Sequence, residues 1–221
     1  MLDFNQPGLA VFDMDSTLIS IECIDEIAAL VGKKDEVSAV TERAMRGELD
    51  FAQSLTQRVA LLEGISKAQL QQLFNPIPFT TGAEDFIRWL HQHGWKTAVV
   101  SGGFTWFTNQ VKNQLQLNFA HANCLSWKNN KLTGSVSQPI VDAQSKANYL
   151  KMWADQLQIP LQQTLAVGDG ANDIPMLDAA GFGVAFCAKP AVQEHANISI
   201  DEPNLMAIAD FFEAQVVDNH G

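Results

Sequence analysis

Asp13 and Asp15 follow the apolar run Leu9-Ala10-Val11-Phe12 and stand directly before Ser16 and Thr17. Residues two apart share a side of an extended strand, so the two carboxylates point together if the strand continues and diverge if the chain turns. Anions at the carboxyl end of a buried strand are costly unless a cation neutralises them. The plainer alternative is a solvated strand end at which Asp and Ser cap a helix. Two further strand ends carry matching chemistry. Ser101-Gly102-Gly103, after Ala98-Val99-Val100, offers a hydroxyl and two glycines that let backbone N–H groups close around an anion, although a simple strand-to-helix turn also accommodates Gly-Gly. Gly168-Asp169-Gly170-Ala171-Asn172-Asp173, after Leu165-Ala166-Val167, adds carboxylates and an amide, with Asn172 or Asp173 placed to cap the helix that holds Pro175. Lys146 opens the preceding helix, where a surface lysine is the ordinary expectation.

Together these groups form a chemical set. Carboxylates from two strand ends suit a hard divalent cation with oxygen ligands, Mg²⁺ above all. A hydroxyl, amides and a lysine suit phosphate oxygens. One carboxylate is left to attack phosphorus and another to move a proton, which is what phosphoryl transfer requires.

Positioning them requires several strand ends along one edge. The chain alternates short β-branched runs with amphipathic helices, the pattern of an α/β fold with a Rossmann-like parallel sheet. Strands are expected at Leu9–Phe12, Lys96–Ser101, Thr164–Val167 and Gly183–Phe186, with an edge at Ile198–Ile200 and an Asn-Asn hairpin around Trp127–Leu132. Thr81 with Glu84 and Ser66 with Gln69 have capping-box spacing, and Gly94 and Gly181 fall at expected left-handed helix ends. Leu150, Trp153 and Leu157 mark one face of a helix beginning near Ser145. From residue 20 to 74 the alternation stops and the pattern is wholly helical (Ile21–Val31, Asp35–Arg46, Asp50–Leu62, Ser66–Phe74), until Asn75-Pro76-Ile77-Pro78 ends it. The expected organisation is a catalytic core from residues 1–19 and 75–221 with a helical cap, 20–74, over the edge where open α/β sheets bind ligands.

Composition narrows the function. The 221 residues fit one domain with an insertion, and 47% hydrophobic content supports a real core. A net charge of −11 argues against nucleic acid or an anionic membrane as partner, so a bound phosphate needs a local cationic site. Cys23, Cys124 and Cys187 are widely spaced and read as reduced core thiols of a cytoplasmic protein. No export signal or membrane span is visible, and the five histidines show no ligand pattern.

The runs DMDSTL, ECIDEIA, MRGELDF, SL-x-x-RV, VVSGGF and GDGANDIPML occur in that order between Asp13 and Leu177. In these the chain resembles the haloacid dehalogenase superfamily of phosphatases, and within it the branch that hydrolyses O-phospho-L-serine, the last step of serine biosynthesis. The resemblance runs from Leu9 to about Leu205. It implies that Asp13 is the nucleophile forming an aspartyl-phosphate, and that Asp15 protonates the leaving oxygen and then activates water. It also implies Mg²⁺ on Asp13, the backbone carbonyl of Asp15 and Asp169, with Asp173 in support. Ser101, Gly102 and Lys146 are implied to bind the phosphoryl group, with Asn172 nearby.

Glu22, on the first cap helix, would repel a phosphorylated substrate unless that substrate carried a cation, and an α-ammonium supplies one. Its neighbours Asp25 and Glu26 suit an acidic first turn. Arg58 lies on the apolar stripe of its helix, seven residues after Phe51 and three after Leu55. It either snorkels or pairs with an anion, and the resemblance favours a substrate carboxylate, which matches its fork. Met45 and Phe51 are expected as apolar walls, though ordinary packing of the cap explains them almost as well. The pattern departs at Thr56, where relatives often carry Arg. Many bacterial relatives also have an N-terminal regulatory domain, whereas the first strand here begins by Leu9.

The expected partner is a small molecule, acted on by a monomer or homodimer. The rival readings are a phosphatase for another small phosphorylated amine or amino acid, or a phosphotransferase onto an alcohol. From a different class comes a receiver-type signalling domain, against which the size, the cap and Asp15 all count.

Overall fold

The computed structural model describes residues 2–218. Along the chain run β1 (Leu9–Phe12), α1 (Cys23–Leu30), α2 (Lys34–Met45), α3 (Phe51–Ala60), α4 (Lys67–Gln72), α5 (Ala83–Gln92), β2 (Lys96–Phe104), α6 (Thr105–Leu115) and β3 (Phe119–Asn123). Then follow β4 (Leu125–Lys128), β5 (Lys131–Val136), α7 (Ala143–Gln156), β6 (Thr164–Gly168), α8 (Ile174–Ala179), β7 (Phe182–Phe186), α9 (Pro190–Gln193), β8 (Ile198–Ile200) and α10 (Met206–Asp218).

Six strands form one parallel sheet in the order β3-β2-β1-β6-β7-β8. β1 is central, with Leu9 in register with Lys96 on one side and Thr164 on the other. All four of its residues are buried because helices cover both faces, as its unbroken apolar run predicts. Alternate residues feed opposite faces. Ala10 and Phe12 join Phe86, Leu90, Phe107 and Val111 of α5 and α6, while Leu9 and Val11 join Leu150, Trp153, Met176 and Leu177 of α7 and α8. The chain builds outward from β1 through β2 to β3, then returns to the other side of β1 for β6. That reversal opens a crevice at the carboxyl ends of β1 and β6.

The helices α1–α4 occupy the excursion between β1 and α5. The chain leaves and re-enters the sheet side by side: Ser20 N–H donates to the Pro78 carbonyl (2.9 Å) and Thr80 N–H to that of Leu18 (3.0 Å). The antiparallel hairpin β4–β5 leans against these helices rather than the sheet. Gly64 N–H donates to the Leu132 carbonyl and Leu132 N–H to that of Ile65, both at 2.8 Å, and Lys67 lies over the rings of Trp106 and Trp127. Asn129 and Asn130 both adopt positive φ, as the tight hairpin demands.

Some expectations need correcting. β3 was not expected: Ala120, His121 and Ala122 have little β-propensity, and pairing with β2 overrides it. Thr81 and Glu84 form no capping box, because Gly82 is the residue flanking α5, whereas the Ser66–Gln69 box is present. Asp50 and Gln53 form a second box at α3. Gly94 is left-handed as expected (φ 76°), but Gly181 is not. A Cβ at Gly181 would lie 2.4 Å from the Gln162 carbonyl oxygen, so glycine is there for close backbone approach. Of the cysteines only Cys23 is core; Cys124 and Cys187 are exposed. Among the described residues, no helix is long and apolar enough to cross a membrane.

Candidate active site

Asp13 directly follows β1, its N–H held by the Val167 carbonyl (3.0 Å). The strand stops there. Met14–Leu18 form an irregular turn in which Asp15 keeps an extended ψ of 134° and Ser16 enters the left-handed region at φ 57°. The two carboxylates therefore diverge. Asp13 Oδ1 accepts from Met14 N–H (2.7 Å) and lies 2.8 Å from Lys146 Nζ. Asp15 turns toward the inserted helices, where Oδ1 accepts from Cys23 N–H (3.3 Å).

Lys146 is not the surface lysine its position suggests: it is 0% exposed, on the first turns of α7, where Asp142 caps the helix by accepting Ser145 N–H (2.8 Å). Its ammonium bridges Asp13 and Asp173, the latter at 2.6 Å. The Asp173 side chain does not cap α8; its other oxygen accepts Gly170 N–H (3.0 Å). Asp169 accepts a hydrogen bond from the buried Thr17 hydroxyl (3.0 Å).

Ligand oxygens of Asp13, Asp169 and Asp173 all lie within 4.8 Å of one another. Burial and mutual repulsion act on this group. Asp13 is pushed well above the carboxylate range by burial and Asp173, and Asp169 is pushed to about 6 by the same two causes. Burial alone would depress Lys146, but Asp13 and Asp173 outweigh it and hold its ammonium charged. One lysine facing several carboxylates leaves the site under-neutralised, and an all-oxygen donor set fits a hard divalent cation. Asp15 is raised to about 7 by burial and then by Glu22.

A cavity of about 150 Å³ opens over this floor. Asp13, Asp15, Glu22, Phe51, Arg58, Ser101, Gly102, Asp169 and Asn172 line it, so most of the residues singled out from sequence converge. Lys146 and Asp173 lie beneath, joined to it through Asp13. Met45 does not line it and is 74% exposed on α2, so the expected wall is not formed by Met45 here. Glu22 flanks α1 instead of lying within it, and accepts the Ser16 hydroxyl at 2.5 Å. Arg58 Nε donates to the Ser54 carbonyl (3.4 Å), and burial lowers its pKa despite Asp25 and Glu22 nearby.

Gly103, expected beside Gly102, also lines the cavity, whereas sequence reasoning missed Ile24, Leu55 and Phe104. Leu55 had a signal, since it shares the helical stripe of Phe51 and Arg58. For Thr17 the only hint was a hydroxyl behind the two aspartates.

The haloacid dehalogenase-like hydrolase family model matches residues 8–181. A phosphoserine phosphatase of Idiomarina loihiensis is 58% identical over 201 residues, covering 91% of each chain. One of Haemophilus influenzae is 49% identical over 211 residues, 94% of this chain and 67% of its own. Among solved structures, a phospho-aspartyl intermediate analogue of phosphoserine phosphatase superposes with a TM-score of 0.86 at 43% identity, over 93% of this chain and 99% of that one. A substrate-bound phosphoserine phosphatase complex matches with the same score at 42% identity, over 93% and 98% of the two chains.

Proposed function

Because this chain belongs to the haloacid dehalogenase-like hydrolases, we propose that it hydrolyses O-phospho-L-serine to L-serine and phosphate through an aspartyl-phosphate on Asp13. One observation carries the substrate: one small cavity is lined by Asp13, Ser101 and Gly102 from the sheet edge and by a carboxylate and a guanidinium, Glu22 and Arg58, from the inserted segment. Those opposite charges complement the ammonium and carboxylate of an amino acid whose phosphoryl group rests on the sheet edge. The helices, residues 20–74, act as the specificity cap.

Asp13 attacks phosphorus, and the bond from phosphorus to the serine oxygen breaks. Asp15 gives its proton to that oxygen. It then takes a proton from water, which attacks phosphorus and frees Asp13. A pKa raised to about 7 lets one group do both at neutral pH. The Ser101 hydroxyl and the Gly102 amide hold phosphoryl oxygens, with Asn172 close by and the Lys146 ammonium adding positive charge from beneath Asp13, while Phe51 helps exclude water. Asp13, the Asp15 carbonyl and Asp169, with Asp173 in support, would hold Mg²⁺, which would neutralise charge on the carboxylates and the phosphoryl group. One chain supplies the whole cavity, so a monomer suffices and a homodimer is compatible. The place of action is the cytoplasm, where the thiols stay reduced, and the reaction closes serine biosynthesis.

The test is phosphate release from a panel of phosphorylated metabolites with Mg²⁺. Repeated turnover with the highest kcat/KM for O-phospho-L-serine is expected. Preference for phosphoethanolamine, transfer to an added alcohol, or a single phosphorylation without turnover would overturn the reading.

A further inference from the structure

β2 pairs with β3 at Val100↔His121 and next at Phe104↔Asn123, so Ser101-Gly102-Gly103 bulges out of the ladder toward the cavity. A bulge strips backbone groups of their ladder partners. Here a side chain replaces one. Asn123 Nδ2 donates to the Gly102 carbonyl (2.8 Å), and its Oδ1 accepts Val141 N–H (2.8 Å). Asn123 is 1% exposed, so water cannot readily substitute for it. Flipping the amide would set like against like at both partners, so its orientation is determined.

The consequence reaches the cavity through one peptide unit. The Gly102 carbonyl and the Gly103 N–H lie in a single plane and point opposite ways, and that N–H donates to Ser101 Oγ (2.9 Å). With its oxygen already accepting, the Ser101 hydroxyl has its proton free for a phosphoryl oxygen. On the other side, Val141 directly precedes Asp142, the cap of the helix that carries Lys146. One buried amide thus joins the two segments that bring a hydroxyl and an ammonium together.

We propose that Asn123 is a positioning residue of the phosphoryl subsite, orienting Ser101 through the Gly102–Gly103 peptide and tying it to the start of α7. This rests on assigning Ser101 to the phosphoryl group. The test is the affinity of the full chain for inorganic phosphate with Mg²⁺, by calorimetry, for Asn123→Ala, Ser101→Ala and the double variant. Asn123→Ala should weaken phosphate about tenfold in the parent, the scale of one buried hydrogen bond, but less than about twofold in the Ser101→Ala background. Asn123→Asp, which keeps the volume and the Val141 acceptor, carries the same cycle if the alanine variant does not fold. Unchanged affinity, an equal loss in both backgrounds, or failure of both variants to fold would reduce Asn123 to a structural role and overturn the proposal. Ser101→Ala without effect would instead remove the subsite assignment beneath it, which the single variant reveals separately.

Discussion

The sheet edge and the inserted helices solve opposite problems. At the edge, Asp13, Lys146 and Asp173 are almost wholly buried and held by one another at 2.6–2.8 Å. The ion pairs of the inserted helices, such as Lys33–Glu36 and Arg46–Glu48, are exposed, and pairs of that kind contribute little to stability. Of the charged residues that the inserted segment brings to the cavity, Arg58 is half-buried and Glu22 is exposed. On the proposed reading, chemistry sits where positions are over-determined by packing, and recognition sits on a separately anchored segment. The two should fail differently when damaged.

The largest effect should come from the edge. Asp13→Asn removes the proposed nucleophile, so turnover should drop by about 10⁴-fold or more, and mass spectrometry should find no phosphorylated chain. Asp15→Asn should lose roughly 10²–10⁴-fold of general acid–base help while still accepting phosphate on Asp13 from a substrate with a good leaving group, which a rapid-quench burst would reveal. Parent-like activity in Asp15→Asn would erase the division of labour between the two carboxylates.

Damage to the cap should be selective. Arg58→Ala and Glu22→Gln should each lower kcat/KM for phosphoserine about 10- to 150-fold, the scale of a charge-assisted hydrogen bond. An aryl phosphate lacking both groups should lose far less, and phosphoethanolamine should hardly register Arg58→Ala. Equal losses on all three substrates would mean that these residues only hold the helices together.

The smallest effect is on stability. Asp13, Asp15 and Asp169 have folded pKa values raised above the ordinary carboxylate value, the latter two to about 7 and about 6. Between about pH 4 and 7 the metal-free folded chain therefore holds more protons than the unfolded one, and these groups lose stability as pH rises. A divalent cation competes with those protons. Mg²⁺ should accordingly raise Tm more at pH 7.5 than at pH 5, by a few degrees, and chelation should remove both the difference and the activity. A Tm increment independent of pH would detach the metal from these carboxylates.

Local pattern alone determined much of this protein. Unbroken apolar runs marked β1, β2, β6 and β7, helical periodicity and the Ser66–Gln69 box marked the excursion, and six signatures in order, at strand ends and in the helices between them, carried the resemblance to the family, since each of these is written in neighbouring residues. Tertiary structure decided what depends on residues far apart in the chain. Pairing with β2 made a strand of Phe119–Asn123, whose own propensity is weak. Burial between two carboxylates turned Lys146 from an expected surface residue into part of the floor. The turn at Ser16 sent Asp13 and Asp15 to different partners, and packing left Met45, Cys124 and Cys187 exposed. Asn123 carries no local signal at all: its amide matters only because β2 bulges beside it and Val141 arrives from another segment. Periodicity records which face a side chain takes, whereas its partner is set by close packing of elements that meet only in the folded chain.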